Sequence, residues 1–388
     1  MQYQWFRHGI YAIGNRCHCP RGSARLVASS GPGEAELADR RRWLRAKATI
    51  NDIARMSGVS KKTVSRVINR SPLVNDATRS KVDAVIQKAG YVPNPQARAL
   101  ALRRNFLIGL IHDNPNPQTV LTVQQGILDA LASTEYSLLV RPVYRGSATA
   151  IEDIHAFLDR QRLHGVIIMP PLSENGSLAE LCERFDCRYV RMGSAQMDRG
   201  DRSVCSNDRE LVRQATEYLI SLGHRRIGMV EGPGGFRSAL ERRSGFGEAL
   251  AAAGLPLSAE LMAPGDYRFE SGLLAGERIL AAARAPTAIF AANDEMAAGV
   301  LHAARRRGLD VPADLSIVGF DDTAIAAHIW PPLTTVRWPI AAMARAAAYK
   351  LLAGTPDDDP AVAEQSLFPS LLVHRASVAP PSRVMMVW

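Results

Sequence analysis

A glycine set between two short amphipathic helices constrains this chain more than any other feature. Thr49 and Asp52 have the spacing of a capping box and open a helix in which Ile50, Ile53 and Ala54 recur at helical intervals. Ser57-Gly58-Val59 breaks that helix, Gly58 supplying the permissive backbone of a tight turn. Ser60 caps a second helix with Val64, Val67 and Ile68 inward. Asn75 caps a third, with Val82, Val85, Ile86 and Ala89 inward and Gly90 as its stop. Helices this short are marginal alone, so the three must share one small core, as in a helix-turn-helix domain.

Charge collects in the same stretch. Between Arg40 and Arg104 there are 16 Lys/Arg against three Asp/Glu, a net of +13 in a chain whose total is +9. The remainder is therefore acidic on balance, and the basic excess is the footprint of a phosphate-backbone binder. In the second helix, SKKTVSRVIN over 60–69, the apolar stripe leaves Lys61, Lys62, Ser65 and Arg66 on the opposite side. The N-terminal end of such a helix enters the major groove, which places Lys61 and Lys62 at base edges. Arg66 can donate two parallel bonds to guanine, whereas lysine specifies less sharply. Thr63 and Ser65 suit phosphate contacts, which fix position rather than sequence.

A chain of 388 residues exceeds one ordinary core and predicts two or three domains. Residues 1–46 have no clear periodicity and are expected to be a disordered extension or a start codon read too far upstream; residues 47–92 form the DNA-binding domain. Residues 93–104 are a linker, extended by proline at Val92-Pro93-Asn94-Pro95 and then briefly helical. From 105 to 388, apolar strand-like runs alternate with helical stretches: Phe106–Ile111, Ser137–Val140, Gly165–Met169, Tyr189–Val190, Arg226–Val230, Thr287–Ala291 and Leu315–Gly319. That rhythm predicts parallel sheets wound by helices, in two subdomains with a cleft between them. Nothing reads as a secretion signal or a membrane span, and five scattered cysteines make no disulfide framework. These features predict a cytoplasmic protein. Cys17-His18-Cys19 lacks a second ligand pair, so no metal is expected, and no cofactor.

Residues 48–104, ATINDIARMSGVSKKTVSRVINRSPLVNDATRSKVDAVIQKAGYVPNPQARALALRR, resemble the DNA-binding headpiece of the LacI/GalR family from end to end. The resemblance implies that Lys61, Lys62 and Arg66 read bases, with Thr49, Ser60, Thr63, Ser65, Asn69, Asn75 and Tyr91 as further DNA-binding candidates. It also implies that Asn94, Ala97 and Leu100 belong to a hinge helix that orders on operator DNA, Leu100 entering the minor groove as an apolar wedge. Four further phrases extend the likeness: SLGHRRIGMVEGP (221–233), ERRSGF (241–246), PTAIFAANDEMAAGVLHAARRRGLDVPADLSIVGFDD (286–322) and PPLTTVRWP (331–339). The fold they imply resembles periplasmic sugar-binding proteins, two doubly wound α/β subdomains with a ligand between them at the strand ends.

The chemistry expected there is polyol recognition. Arg242 can donate a fork of bonds to vicinal hydroxyls, Asp321 can accept from two, and Asn293 offers both a donor and an acceptor. By the resemblance, Tyr267 matches an aromatic position that stacks on a sugar face, with Trp338 and Trp330 extending the wall. His112 and Asp113, with Asn114, follow the first sensor strand and are further lining candidates; Asp294 and Asp322 are expected mainly to cap helices or turns. Asn207 stands where the family usually has an aspartate, which leaves the sugar's identity open.

No nucleophile elbow, P-loop, dinucleotide fingerprint or metal-spaced cluster is present, so an enzyme is not expected. The expected partners are operator DNA, a mono- or oligosaccharide effector and a second copy of the chain. The function expected is a dimeric repressor on a pseudo-palindromic operator, released allosterically by the sugar. The competing reading is a regulator that represses with a purine or a protein co-regulator bound. No C-terminal tetramerising heptad is evident in 376–388.

Overall fold

The computed structural model describes residues 48–93, 105–144, 147–353 and 365–382, and they divide at Pro93 into two compact units. Residues 1–46 and the hinge candidates Asn94, Ala97 and Leu100 lie outside the described residues.

The first unit holds α1 (Ile50–Ser57), α2 (Lys61–Ile68) and α3 (Asp76–Ala89). The capping box forms as its spacing predicts: Thr49 Oγ1 accepts from Asp52 N, and Asp52 Oδ2 accepts from Thr49 N at 3.0 Å. Gly58 and Gly90 close α1 and α3 at φ 64° and 58°, the left-handed region where a side chain would be strained. Ile53, Val64, Val67, Val74 and Val82 are buried as one core, with Ile68, Val85, Ile86 and Tyr91 packed around it.

The second unit contains two six-stranded sheets. The first is built from β1 (Leu107–His112), β2 (Ser137–Pro142), β3 (Gly165–Ile168), β4 (Arg188–Gly193) and β5 (Ser203–Ser206), covered by α4 (Pro117–Leu131), α5 (Ala150–Gln161) and α6 (Gly176–Arg184). The chain then crosses into α7 (Asp208–Ser221), β6 (Ile227–Glu231), α8 (Arg237–Ala252), β7 (Met262–Pro264), α9 (Phe269–Leu280), β8 (Ala288–Ala291), α10 (Asp294–Arg306), β9 (Ser316–Asp321), α11 (Ala324–His328) and β10 (Thr334–Arg337). It returns with α12 (Ile340–Leu352) and β11 (Leu367–Phe368), then crosses again into β12 (Leu371–Val373). The sheet orders are β2-β1-β3-β4-β5-β11 and β7-β6-β8-β9-β10-β12, all parallel except β12 against β10. Both are doubly wound, and their core strands read as continuous apolar runs because helices cover both faces.

Three crossings between the lobes, at 206–208, 337–340 and 368–371, make the connection a hinge rather than a simple linker. The return helix α12 locks into the first lobe, with Ile340, Met343, Ala344 and Leu351 in its core. At Gly126 of α4 an added Cβ would collide with the Ala341 carbonyl, so only glycine allows the two helices this approach. Gly245, in the ERRSGF phrase, plays the same part between α8 and the Arg209 backbone of α7.

Candidate nucleic-acid interface and ligand cleft

In the first unit, α2 leaves Lys61 and Lys62 exposed, with Thr63, Ser65 and Arg66 partly exposed beside them. Burial of Val64 and Val67 fixes this orientation, since they define the face that must turn inward. Ser60 is committed to capping, its Oγ accepting from Thr63 N at 3.1 Å and facing Thr63 Oγ1 at 2.9 Å. Asn75 likewise spends its carbonyl on Thr78 N at 2.8 Å, and Asn69 Nδ2 donates to Ser65 Oγ. Tyr91 packs against the headpiece core, and burial raises its phenol above the ordinary range. The exposed, uncommitted groups of the sequence-derived set are therefore Lys61, Lys62 and Arg66. The other members shape the helices that present them.

The second unit places its cleft between the lobes. Most of its lining follows the carboxyl end of a strand: Asn114 and Asn116 after β1, Pro170 and Pro171 after β3, Ser194 after β4, Phe236 and Ser238 after β6. Tyr267, Asn293 and Trp338 do the same for β7, β8 and β10, Asp321 ends β9, and Arg242 reaches in from α8. In a doubly wound sheet these ends are the place where loops and helix N-termini converge on a ligand.

Arg242 is the centre of the site. Only 3% exposed, it donates from Nε to Asp208 Oδ2 at 2.9 Å and from Nη1 to the Ala292 carbonyl at 2.5 Å. Its guanidinium lies 3.5 Å above the Phe320 ring, and Nη2 is 3.7 Å from Asp321 Oδ1. Asp321 Oδ1 is buried with no hydrogen-bond partner. Burial pushes this carboxyl well above the usual carboxylate range, with Arg242 opposing. Asp321 and Asp322 sit at φ 107° and 56°, left-handed backbone held by the strand end rather than by glycine. Across the cleft Ser194 Oγ is also buried without a partner. A ligand offering hydroxyls to Asp321 and Ser194 would satisfy both lobes at once.

Five of the eight sequence-derived ligand residues meet here: Arg242, Tyr267, Asn293, Asp321 and Trp338. Asn293, however, caps α10 through Met296 N and donates to the Tyr267 carbonyl, so its amide is already used. Tyr267 Oη faces Ser238 Oγ at 3.0 Å, and burial raises the phenol. Trp338 Nε1 donates to Ser206 Oγ at 3.1 Å, tying the second crossing to the first. The other three are not among the lining residues. Asn207 gives its carbonyl to Ser370 N at 2.9 Å, pinning the first crossing to the third. His112 ends β1 partly buried, its imidazole pushed down chiefly by that burial, and Asp113 follows it. Trp330 is 76% exposed and forms no part of the wall. Asp294 is more than a cap: it accepts from Thr323 N, Thr323 Oγ1 and Thr335 Oγ1, fastening β9 and β10 to α10. Asp322 is held by Arg337 and Arg375, each at 2.6 Å. Sequence reasoning missed Asp208, Ser194 and the Pro170-Pro171 turn. Among the described residues no His/Cys/Asp/Glu cluster could hold a metal, and no helix is long and apolar enough to cross a membrane.

Residues 49–94 match the family model for bacterial regulatory proteins of the lacI family, and residues 216–378 match that for a periplasmic binding protein-like domain. The probable HTH-type transcriptional repressor ExuR of Bacillus subtilis is 34% identical over 78% of this chain and 90% of its own length. The solved complex of the transcriptional regulator CelR with cellobiose is similar at a TM-score of 0.62 and 30% identity, covering 85% of this chain and 99% of that one. The lac repressor dimer bound to operator and the anti-inducer ONPF superposes at a TM-score of 0.70 and 28% identity, covering 86% and 100%.

Proposed function

The chain belongs to the LacI family of bacterial regulatory proteins, and from that premise we propose that it is a sequence-specific transcriptional repressor released from its operator by a sugar. It binds a pseudo-palindromic site as a dimer, each headpiece taking one half-site. Lys61, Lys62 and Arg66 read base edges, while Thr63, Ser65 and the capped helix ends hold the backbone. The effector binds between the lobes, against Arg242, Asp321, Tyr267 and Trp338. The signal passes through the 93–104 linker. Operator and effector must weaken each other by the same factor, because the coupling is one free energy seen from two sites. The site of action is the cytoplasm, where the DNA is.

The observation that carries this reading is the union, in one chain, of a basic capped second helix with a two-lobed cleft that holds unsatisfied hydroxyl-binding groups on both walls. The relatives add that one regulator of this fold is solved with cellobiose and another with operator DNA. The test is selection of binding sites from random duplex DNA by the purified full chain, repeated with a panel of mono- and oligosaccharides. A palindrome that one sugar abolishes supports the proposal. Enrichment of no sequence removes it.

A further inference from the structure

Away from the three crossings, a hydrogen bond joins the two lobes directly. Glu174, at the end of the short turn Leu172–Glu174 in the first lobe, accepts from the backbone N–H of Arg237 at 2.8 Å. Arg237 is the first residue of α8 in the second lobe. That helix has no side-chain cap of its own, because Phe236 occupies the cap position and carries no oxygen. The Arg237 side chain is turned toward Glu241 Oε1 at 2.7 Å. The first orphan donor of α8 is therefore satisfied from across the cleft, by an acidic residue placed where the helix dipole favours negative charge.

The first-lobe end of this contact is anchored through its neighbour. Ser173, beside Glu174, donates from Oγ to the Met192 carbonyl at 2.6 Å, and its own carbonyl accepts from the buried Arg191 Nε at 2.6 Å. On the far side, α8 carries Ser238 and Arg242, two residues of the cleft wall. Separating the lobes would expose the N-terminus of α8 and carry Arg242 away from Ser194. We infer that Glu174 is a positioning residue: by capping α8 across the cleft it holds the two lobes in this arrangement and so sets how readily an effector binds between them. Its consequence for induction rests on the effector-cleft reading above, but the latch itself is a contact between two parts of this chain.

The experiment is hydrogen–deuterium exchange on the full chain without sugar, comparing the parent with Glu174→Ala and Glu174→Gln. The latch predicts faster exchange in the first turn of α8 and also in the cleft segments near 114–119 and 321–323, beyond the capped turn itself. Glu174→Gln, which keeps an acceptor but not the charge, should show a smaller change in the same segments and guards against misfolding of the alanine variant. Acceleration confined to 237–240 would mean an ordinary helix cap and overturn the proposal, as would no change. A second readout uses glucose, galactose, ribose and cellobiose. The concentration of whichever of these releases DNA should rise about two- to fivefold in the alanine variant, the range of one carboxylate at a helix N-terminus. Release by none of them would count against the sugar reading and leave the exchange result standing.

Discussion

Asp208 Oδ2 accepts from Arg242 Nε at 2.9 Å, so the cation of the cleft wall is matched before any ligand arrives. Asp321, 3.7 Å away on the other side, is left as the unsatisfied acceptor. Leaving a buried acceptor unmade is costly, and a ligand hydroxyl recovers that cost on binding. Asp321→Asn should therefore weaken effector binding by about 0.5–1.5 kcal/mol, the range for a typical hydrogen bond. The melting temperature of the effector-free protein should hold or rise, since a buried carboxyl is removed. Titration calorimetry beside a thermal melt separates the two. Equal loss in both would reduce Asp321 to a structural residue.

The same charge balance sorts effectors. Arg242 is the cation lining the cleft among the described residues, and it faces two carboxyls. A uronic acid would bring a further negative charge beside Asp321 with no free guanidinium to receive it. Neutral sugars should therefore bind at least about tenfold more tightly than the matching uronic acids, roughly 1.4 kcal/mol or more. Competition between glucose and glucuronate, or galactose and galacturonate, reads this directly. Tighter binding of the acid would mean that another cation enters the site.

Asp294 gives the second unit a pH dependence of known sign. Burial, opposed by its hydrogen bonds from Thr335 and Thr323, pushes its carboxyl from 3.8 up to about 7. The folded state thus holds a proton that the unfolded chain releases near pH 4. The stabilisation is full below that pH and is lost as pH rises toward 7, at up to about 1.4 kcal/mol per unit. In Asp294→Asn the amide oxygen can still accept from Thr323 N while its NH2 faces Thr335 Oγ1. The variant should gain stability relative to the parent between pH 5 and 7, followed by urea unfolding at each pH. Parallel curves would show that the carboxyl ionises normally.

Local rules made the headpiece legible. Thr49, Ser60, Asn75, Gly58 and Gly90 act within four residues of themselves, so their roles are written in adjacent sequence. The alternation of strand and helix also carried the doubly wound sheets, because covered parallel strands must be apolar throughout. The cleft was legible only where a residue type is distinctive, as with Arg242, Asp321 and Trp338. Asp208 looks like an ordinary first-turn acid, and only the packing of α7 on α8 brings Arg242 to it. Asn293 was expected to offer its amide to a ligand, yet that amide is spent on Met296 and Tyr267, which no local pattern reveals. Asn207 fastens two crossings that lie 163 positions apart in the chain. Short edge strands such as β11 and β12 escaped for a related reason: two or three residues have no periodicity to read.

Arg66 is the basic residue of α2 whose role, base readout or backbone contact, a single variant separates. It lies one turn beyond Lys62 on the face opposite Val64 and Val67. If its guanidinium forks onto a guanine, Arg66→Ala should cost about 1–3 kcal/mol on the preferred duplex and relax preference at one base pair. The salt slope should then stay close to the parent's, because the number of phosphates neutralised is unchanged. A phosphate contact predicts the opposite pattern: weakening on every duplex alike, and a log–log salt slope shallower by about 0.9. Measuring both proteins on the selected site and its single-base variants, across a salt series, distinguishes the two in one experiment. Uniform weakening with a shallower slope would leave Lys61 and Lys62 as the base-reading pair.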